Sequence, residues 1–510
     1  MGNKFVALLA LLFGTALAAS AYAIARMAIA VQTDVAKNDI ATPTFAPKVR
    51  ESQGDRWKNA FPEPEMPEFA LEVDLQIPQS EATNNLEVST ASYLGGDGDD
   101  RAAGVDIAPD RTIVFAGTVT GEIAEISNNN LLGDGNGTVI RTDATGREIL
   151  SVSRIGNEIF DLDVDNDRGN IAVVGDFGIA LISPRGDRLL WHDNLAALDT
   201  VLKPYSTRVS IGEDGNIAVL ADKKIVLFDR QGNAIAYFPV VGGFAADIVV
   251  HSPSRSLIVT GFTQKDGGGC SQLQVAFLRS YGYDSRRRWE NYDWTHAEAF
   301  SHNSSCADTR GYRLALGADG FMYFAGESAG GNSIFRYQPR DLKAEANNIH
   351  FDPYTQPYNT SSNHITYAAR FDPENGNLER GQFHLGRLPD GRGNALQPRA
   401  IAADEAGNVY IGGRAFYHDR MRDTAISGQF GSYAVTDNFV LAIAPDFSSR
   451  HYVVSWNRGC EGENIVVGIA AARGVRAMTS NTAGCDMITV NARQARPQGG
   501  SEMLYSVWEP

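Results

Sequence analysis

One module recurs along this chain, and it limits the possible folds more than any other feature. Its clearest copy runs from Thr207 to Phe238. Arg-Val-Ser-Ile is followed by the turn Gly212-Glu213-Asp214-Gly215-Asn216, then Ile-Ala-Val-Leu. Lys-Lys-Ile-Val-Leu-Phe comes next, then Asp229-Arg230-Gln231-Gly232-Asn233, then Ala-Ile-Ala-Tyr-Phe. These are four short β-rich runs, with glycine and asparagine in the turns, where positive φ costs least. The same grammar restarts at Gly104, Phe160, Ala246, Tyr312, Ala400 and Ile465.

A four-stranded sheet leaves both of its faces wet. Radial packing of such units hides both faces and leaves few open edges, whereas an open β-solenoid uses shorter repeats. The expectation is an all-β chain: a β-propeller of about seven four-stranded blades over residues 86–510. Two segments compete to close the ring. Leu86 to Leu94 reads as a fourth strand placed ahead of the first unit, and Met503 to Trp508 as the seventh unit's own fourth strand. The pattern does not choose between them, and both could pair there.

Ahead of the repeat lie two segments of different texture. Lys4, the apolar run Phe5 to Leu17 and the small residues Ala19, Ala21 and Ala23 predict a signal peptide over 1–23. An uncleaved anchor is the alternative reading, because the apolar run continues to Ala25. Residues 24–85 read as an acidic, proline-rich leader, in which Pro62-Glu63-Pro64-Glu65-Met66-Pro67-Glu68 favours an extended spacer. The expected location is therefore secreted, periplasmic or at the cell surface, with membrane contact only through an uncleaved N-terminal segment.

Charge narrows the partners. At a formal net charge of -16 the surface repels phosphate backbones, and the lone basic triplet Arg286-Arg287-Arg288 reads as a solvated turn. Nucleic acid is not an expected partner.

Tyr93-Leu94-Gly95-Gly96-Asp97-Gly98-Asp99-Asp100-Arg101-Ala102, with Val105-Asp106-Ile107-Ala108 after it, resembles the SBBP-type β-propeller repeat of exported bacterial proteins. Asp437-Asn438-Phe439-Val440-Leu441-Ala442-Ile443 is similar to the third strand of that repeat. The resemblance implies a propeller and export. It carries no common catalytic residues.

Strand reversal sends alternate connections to opposite faces. First-to-second and third-to-fourth turns are short throughout. Insertions gather on the other face, at Thr118 to Gly137, Tyr292 to Asp308, Glu327 to Asn363 and Arg414 to Thr436. All four cysteines fall on that face, which makes the sequential disulfides Cys270–Cys306 and Cys460–Cys485 reasonable. Ordered loops on a rigid scaffold commonly carry recognition. Tyr292, Trp294, His296, Tyr354, Tyr358, Arg414, Tyr417 and His418 are accordingly the candidate ligand-binding residues. Packing of the loops on themselves is the competing reading.

Chemistry is sparse. Gly326-Glu327-Ser328-Ala329-Gly330 matches a nucleophile elbow, but β-like sequence follows where a helix is needed. Asp97, Asp99 and Asp100 crowd one turn and form the candidate metal site, with Ca²⁺ as the one cofactor the sequence admits. Asp161, Asp163, Asp165 and Asp167 alternate, as solvent-facing strand residues do. No catalytic residue is assigned. The expected function is that of an exported, non-catalytic propeller binding a protein or glycan through its loop-rich, disulfide-braced face. Two alternatives stay open: an extracellular hydrolase or lyase with a site over the central channel, and a structural surface-layer component.

Overall fold

The computed structural model describes residues 84–123, 128–265, 273–301, 307–331, 333–351, 364–387, 393–416, 422–460 and 462–509. The chain divides into two units, 1–65 and 66–510, and every described residue belongs to the second. Apart from Asn84 and Asn85, the expected signal peptide and leader lie outside the described residues. Among the described residues, no helix is long and apolar enough to cross a membrane.

Seven sheets follow one another along the chain, each built on four antiparallel strands, and two of them carry a fifth strand. The third shows why these residues form strands. Thr207–Ile211, Ile217–Ala221, Lys224–Phe228 and Ala234–Pro239 pair in sequence order, and the first three are almost wholly buried. The turn between its last two strands is set by Asp229, whose carboxylate accepts the N–H groups of Gln231 and Asn233, each at 2.9 Å. Gly232 takes φ +86° there, a conformation that a side chain would strain.

The blades begin with the innermost strands Arg101–Ile107, Ile159–Val164, Thr207–Ile211, Phe244–His251, Thr309–Leu316, Leu396–Ala403 and Asn464–Ala472. Each packs on the next around the ring, and the last packs on the first. Ring and blade count agree with the sequence expectation.

Blade 7 settles the closure. Glu502–Trp508 is its third strand, and Val88–Tyr93 pairs antiparallel with it as the fourth, placing Ala91 opposite Ser506 and Tyr93 opposite Leu504. Both competing segments therefore pair at the seam. The far edge of Val88–Tyr93 is covered in turn: Ala91 exchanges two backbone hydrogen bonds with Val490, at 2.8 and 2.9 Å.

Two insertions do more than decorate a face. Asn128–Leu132 adds a fifth strand parallel to Ile149–Ile155 in blade 1, and Ile349–Phe351 does the same beside Leu378–His384 in blade 5. Both cover an otherwise open sheet edge.

The innermost strands share a bulge. In six blades their register slips by one residue, at Ala103, Phe160, Ala246, Tyr312, Arg399 and Val467. Beyond the slip, side chains of one blade accept backbone N–H groups of the next. Asp106 takes Val164 N–H at 2.9 Å, Asp161 takes Val209 at 3.0 Å, and Asp163 takes Ile211 at 2.8 Å. Ser210 Oγ takes Val250 N–H at 3.1 Å, and Asp247 takes Leu314 at 2.9 Å. The alternating aspartates Asp161 and Asp163 thus stitch blade 2 to blade 3. Asp165, in the next turn, is buried, and Asp167 is exposed. The expectation of plain solvent exposure fails for the first three.

Candidate functional site

The face bearing the second-to-third loops and the blade crossings is underlain, from blade 4 to blade 7, by one chain of polar contacts. Gln274 in blade 4 accepts from Arg310 Nε through its side chain, and its own N–H donates to Asp308 at 2.8 Å. Arg310 pairs with Glu327, and His364 Nδ1 lies 2.8 Å from the same Glu327 oxygen. Gln397, in blade 6, reaches the His364 ring at 3.3 Å and accepts from Arg414 Nη2 at 2.9 Å. Arg414 then meets Glu463, on the crossing into blade 7, at 2.7 Å.

Gln274, Arg310, Glu327, Gln397 and Arg414 come from the loop-facing ends of the strands Leu273–Gly282, Thr309–Leu316, Met322–Ser328, Leu396–Ala403 and Val409–Phe416, and Asp308, His364 and Glu463 each immediately precede a strand. Glu327 is wholly buried. Burial alone would raise its carboxyl, but the adjacent His364 and Arg310 outweigh that and hold it at about 2. The pairing of several buried charges in one chain fixes the loop bases against one another. It places no nucleophile beside a base.

The candidate residues distribute as follows. Tyr292 is buried, with its ring centroid 4.9 Å from that of Phe335 and its hydroxyl 3.2 Å from that of Tyr367. Trp294 packs against the same cluster. Arg279 clamps the stretch between them: its Nε and Nη2 each bond the Asp293 carboxylate at 2.7 Å, and its Nη1 takes Val241 O at 2.6 Å. Tyr292 therefore belongs to the packing of its loop, and the reading of a solvent-facing contact does not describe it. His296 opens a short helix, His296–Ser301, in which Thr295 and Glu298 bond reciprocally as a capping box; Thr-x-x-Glu was the legible signal. Arg414 is buried in the polar chain, its guanidinium 4.5 Å from the Phe416 ring. Tyr354, Tyr358, Tyr417 and His418 lie outside the described residues.

Cys460 and Cys485 form a disulfide, their Cα atoms 5.6 Å apart, joining the crossing into blade 7 to the second-to-third loop of that blade. Cys270 and Cys306 lie outside the described residues.

The aspartate turn splits. Asp97 and Asp99 are exposed, while Asp100 is buried and its carboxylate accepts Gly96 N–H at 2.7 Å, Thr120 N–H at 2.6 Å and Thr120 Oγ1 at 2.9 Å. Asp100 thus anchors its own loop to the second strand's exit. Among the described residues, no three His, Cys, Asp or Glu side chains gather in a way that could hold a metal ion. Ser328 of the nucleophile-elbow match ends a strand, buried, with its hydroxyl donating to Gly330 O at 2.6 Å.

The fold makes this chain a seven-bladed β-propeller. No family model matches it, and no curated protein matches it in sequence. Among solved structures it is similar to Kuenenia stuttgartiensis hydrazine synthase, at 10% identity and a TM-score of 0.42 over 78% of this chain and 97% of that one. It is also similar to the β-propeller domain of Myceliophteria thermophila Cps50 (Swd1), at 10% identity and a TM-score of 0.40 over 76% and 95%.

Proposed function

We propose that this propeller is an exported, non-catalytic binding scaffold that engages a protein or glycan partner outside the cytoplasm through its loop-bearing face. One observation carries the reading. The loop-bearing face, whose bases the buried chain from Gln274 to Glu463 ties together from blade 4 to blade 7, also presents two large apolar side chains to solvent on its blade 2-to-3 and 3-to-4 side, Val201 at 72% and Val241 at 67% exposure. Both sit on blade crossings, and the backbone of Val241 is pinned by Arg279. Apolar groups offered from rigid loops are what a contact surface requires. The Cys460–Cys485 disulfide suits an oxidising compartment, and the likeness of Tyr93 to Ala108 to the SBBP-type repeat points toward export as well.

The test is capture of surface-fraction partners on the immobilised protein, comparing Val201→Glu/Val241→Lys with an Ile235→Lys control on the outer strand of blade 3. Loss of capture in the first variant alone, with thermal midpoint unchanged, is the expected result. Equal capture by both variants overturns the reading.

A structural surface-layer role has one observation in its favour. The outermost strand of blade 3, Ala234–Pro239, has no strand paired beyond it among the described residues and carries Ile235 at 49% and Tyr237 at 51% exposure. Such edges pair with other chains, and self-assembly abolished by Ile235→Lys would favour this second reading.

A further inference from the structure

The shared bulge puts equivalent positions of the blades at one level of the central channel. The residues immediately after it are Gly104, Asp161, Asp247, Arg313, Ala400 and Gly468. In blade 3 the equivalent is Arg208, because Asp161 bonds Val209 N–H just as Asp247 bonds Leu314 N–H, one residue beyond Arg313. Blades 2 to 5 therefore contribute Asp161, Arg208, Asp247 and Arg313, alternating in sign. Blades 6, 7 and 1 add at most a methyl group at this level.

Among the described residues, none of these four makes an ion pair with another. Each carboxylate commits an oxygen to the next blade's backbone. Arg313 donates to Tyr312 O at 3.0 Å, and Arg208 Nη1 donates to Pro204 O and Thr207 O at 2.8 and 2.9 Å. Arg208 Nε is buried without a partner. A guanidinium carries five N–H donors, so both arginines keep donors that find no partner among the described residues. Arg399, the bulge residue of blade 6, lies over the Tyr312 ring at 4.9 Å and adds a further positive charge beside Arg313.

The four residues of this level balance one another in formal charge, and Arg399, from the bulge position beside them, adds one positive charge.

We propose that the central channel binds a small organic anion, a carboxylate that also carries hydroxyl or amino groups. Arg313 and Arg208 take the carboxylate, and Asp161 and Asp247 accept from its donors. Charge-assisted, forked hydrogen bonds of this kind are strong and geometrically selective. The alternation along four adjacent strands suits a molecule with acceptor and donor groups side by side better than it suits a bare anion.

The test is calorimetric titration of the full chain with L-tartrate, and in parallel with inorganic phosphate. Arg313→Gln and Arg313→Lys are the test variants, and Arg286→Gln, on the exposed basic turn, is the control. Tartrate binding that weakens at least tenfold in Arg313→Gln, weakens in Arg313→Lys, and persists in Arg286→Gln bears the proposal out. Absence of tartrate binding, binding of phosphate alone, or unchanged tartrate affinity in both Arg313 variants overturns it. Arg313 is only partly buried, and the lysine variant keeps its charge, so a folding failure of Arg313→Gln leaves the second variant to decide.

Discussion

Tyr93 and Cys485 are joined hydroxyl to carbonyl, and the same hydroxyl accepts the N–H of Met487 at 2.7 Å. One buried phenol thus ties the strand that closes the ring to the disulfide-bearing loop of blade 7. Tyr93→Phe leaves the Cys485 carbonyl and the Met487 N–H unpaired in a dry site. The expected loss is about 1–3 kcal/mol of unfolding free energy, measured by denaturant titration. An unchanged midpoint would mean that the seam does not depend on this contact.

The Cys460–Cys485 bridge closes a loop with a sequence separation of 25. Its removal in Cys460→Ala/Cys485→Ala is expected to cost about 3 kcal/mol. Because Tyr93 touches the same loop, the triple variant with Tyr93→Phe should fall short of the sum of the two losses by at least ~0.5 kcal/mol. Strict additivity would separate the bridge from the seam.

Glu327, held ionised between Arg310 and His364, gives the acid limb of stability its sign. Its folded value of about 2 lies below the ordinary 4.5, so its contribution is complete above about pH 4.5 and is lost as pH falls toward 2. Glu327→Gln should cost about 3–5 kcal/mol at neutral pH, since buried positive partners lose their counter-charge. It should also flatten the decline between pH 4.5 and 2. Denaturant midpoints across that window measure both effects.

Asp161 has the opposite sign. Burial, with Asp247 nearby, raises its carboxyl to about 6 despite Arg208. The folded chain then holds a proton that the unfolded chain has released, so this group's contribution falls as pH rises from about 4 to 6. Asp161→Asn keeps an acceptor for Val209 N–H and removes the titration. Relative to the parent it should gain about 1–3 kcal/mol between pH 4 and 7.

The repeat was legible because hairpin turns such as Asp229 to Asn233 announce themselves locally. The closing strand was not, because its pairing partner lies at the other end of the chain and its composition suits either role. Asp161 and Asp163 were misread for a physical reason: alternation marks a strand with one polar face, and it does not distinguish bulk water from a channel lined by neighbouring strands. Tyr292 looked like a contact residue because an aromatic in a long loop has the same sequence signature whether it points outward or folds back on Phe335. The polar chain from Gln274 to Glu463 joins residues from four blades, so no local window contains it. The insertions that became fifth strands, Asn128–Leu132 among them, have no β-rich signature and pair only because a blade edge is beside them.

Ser506 donates to Thr90 O across a separation of 416 residues. A ribosome therefore makes one side of this seam long before the other exists, and the early strand must wait with its backbone unsatisfied. Assembly on this plan is slow and late, since distant pairings form only after a large loss of chain freedom. Six finished modules would remain an arc, sticky at both ends, until Glu502–Trp508 is available.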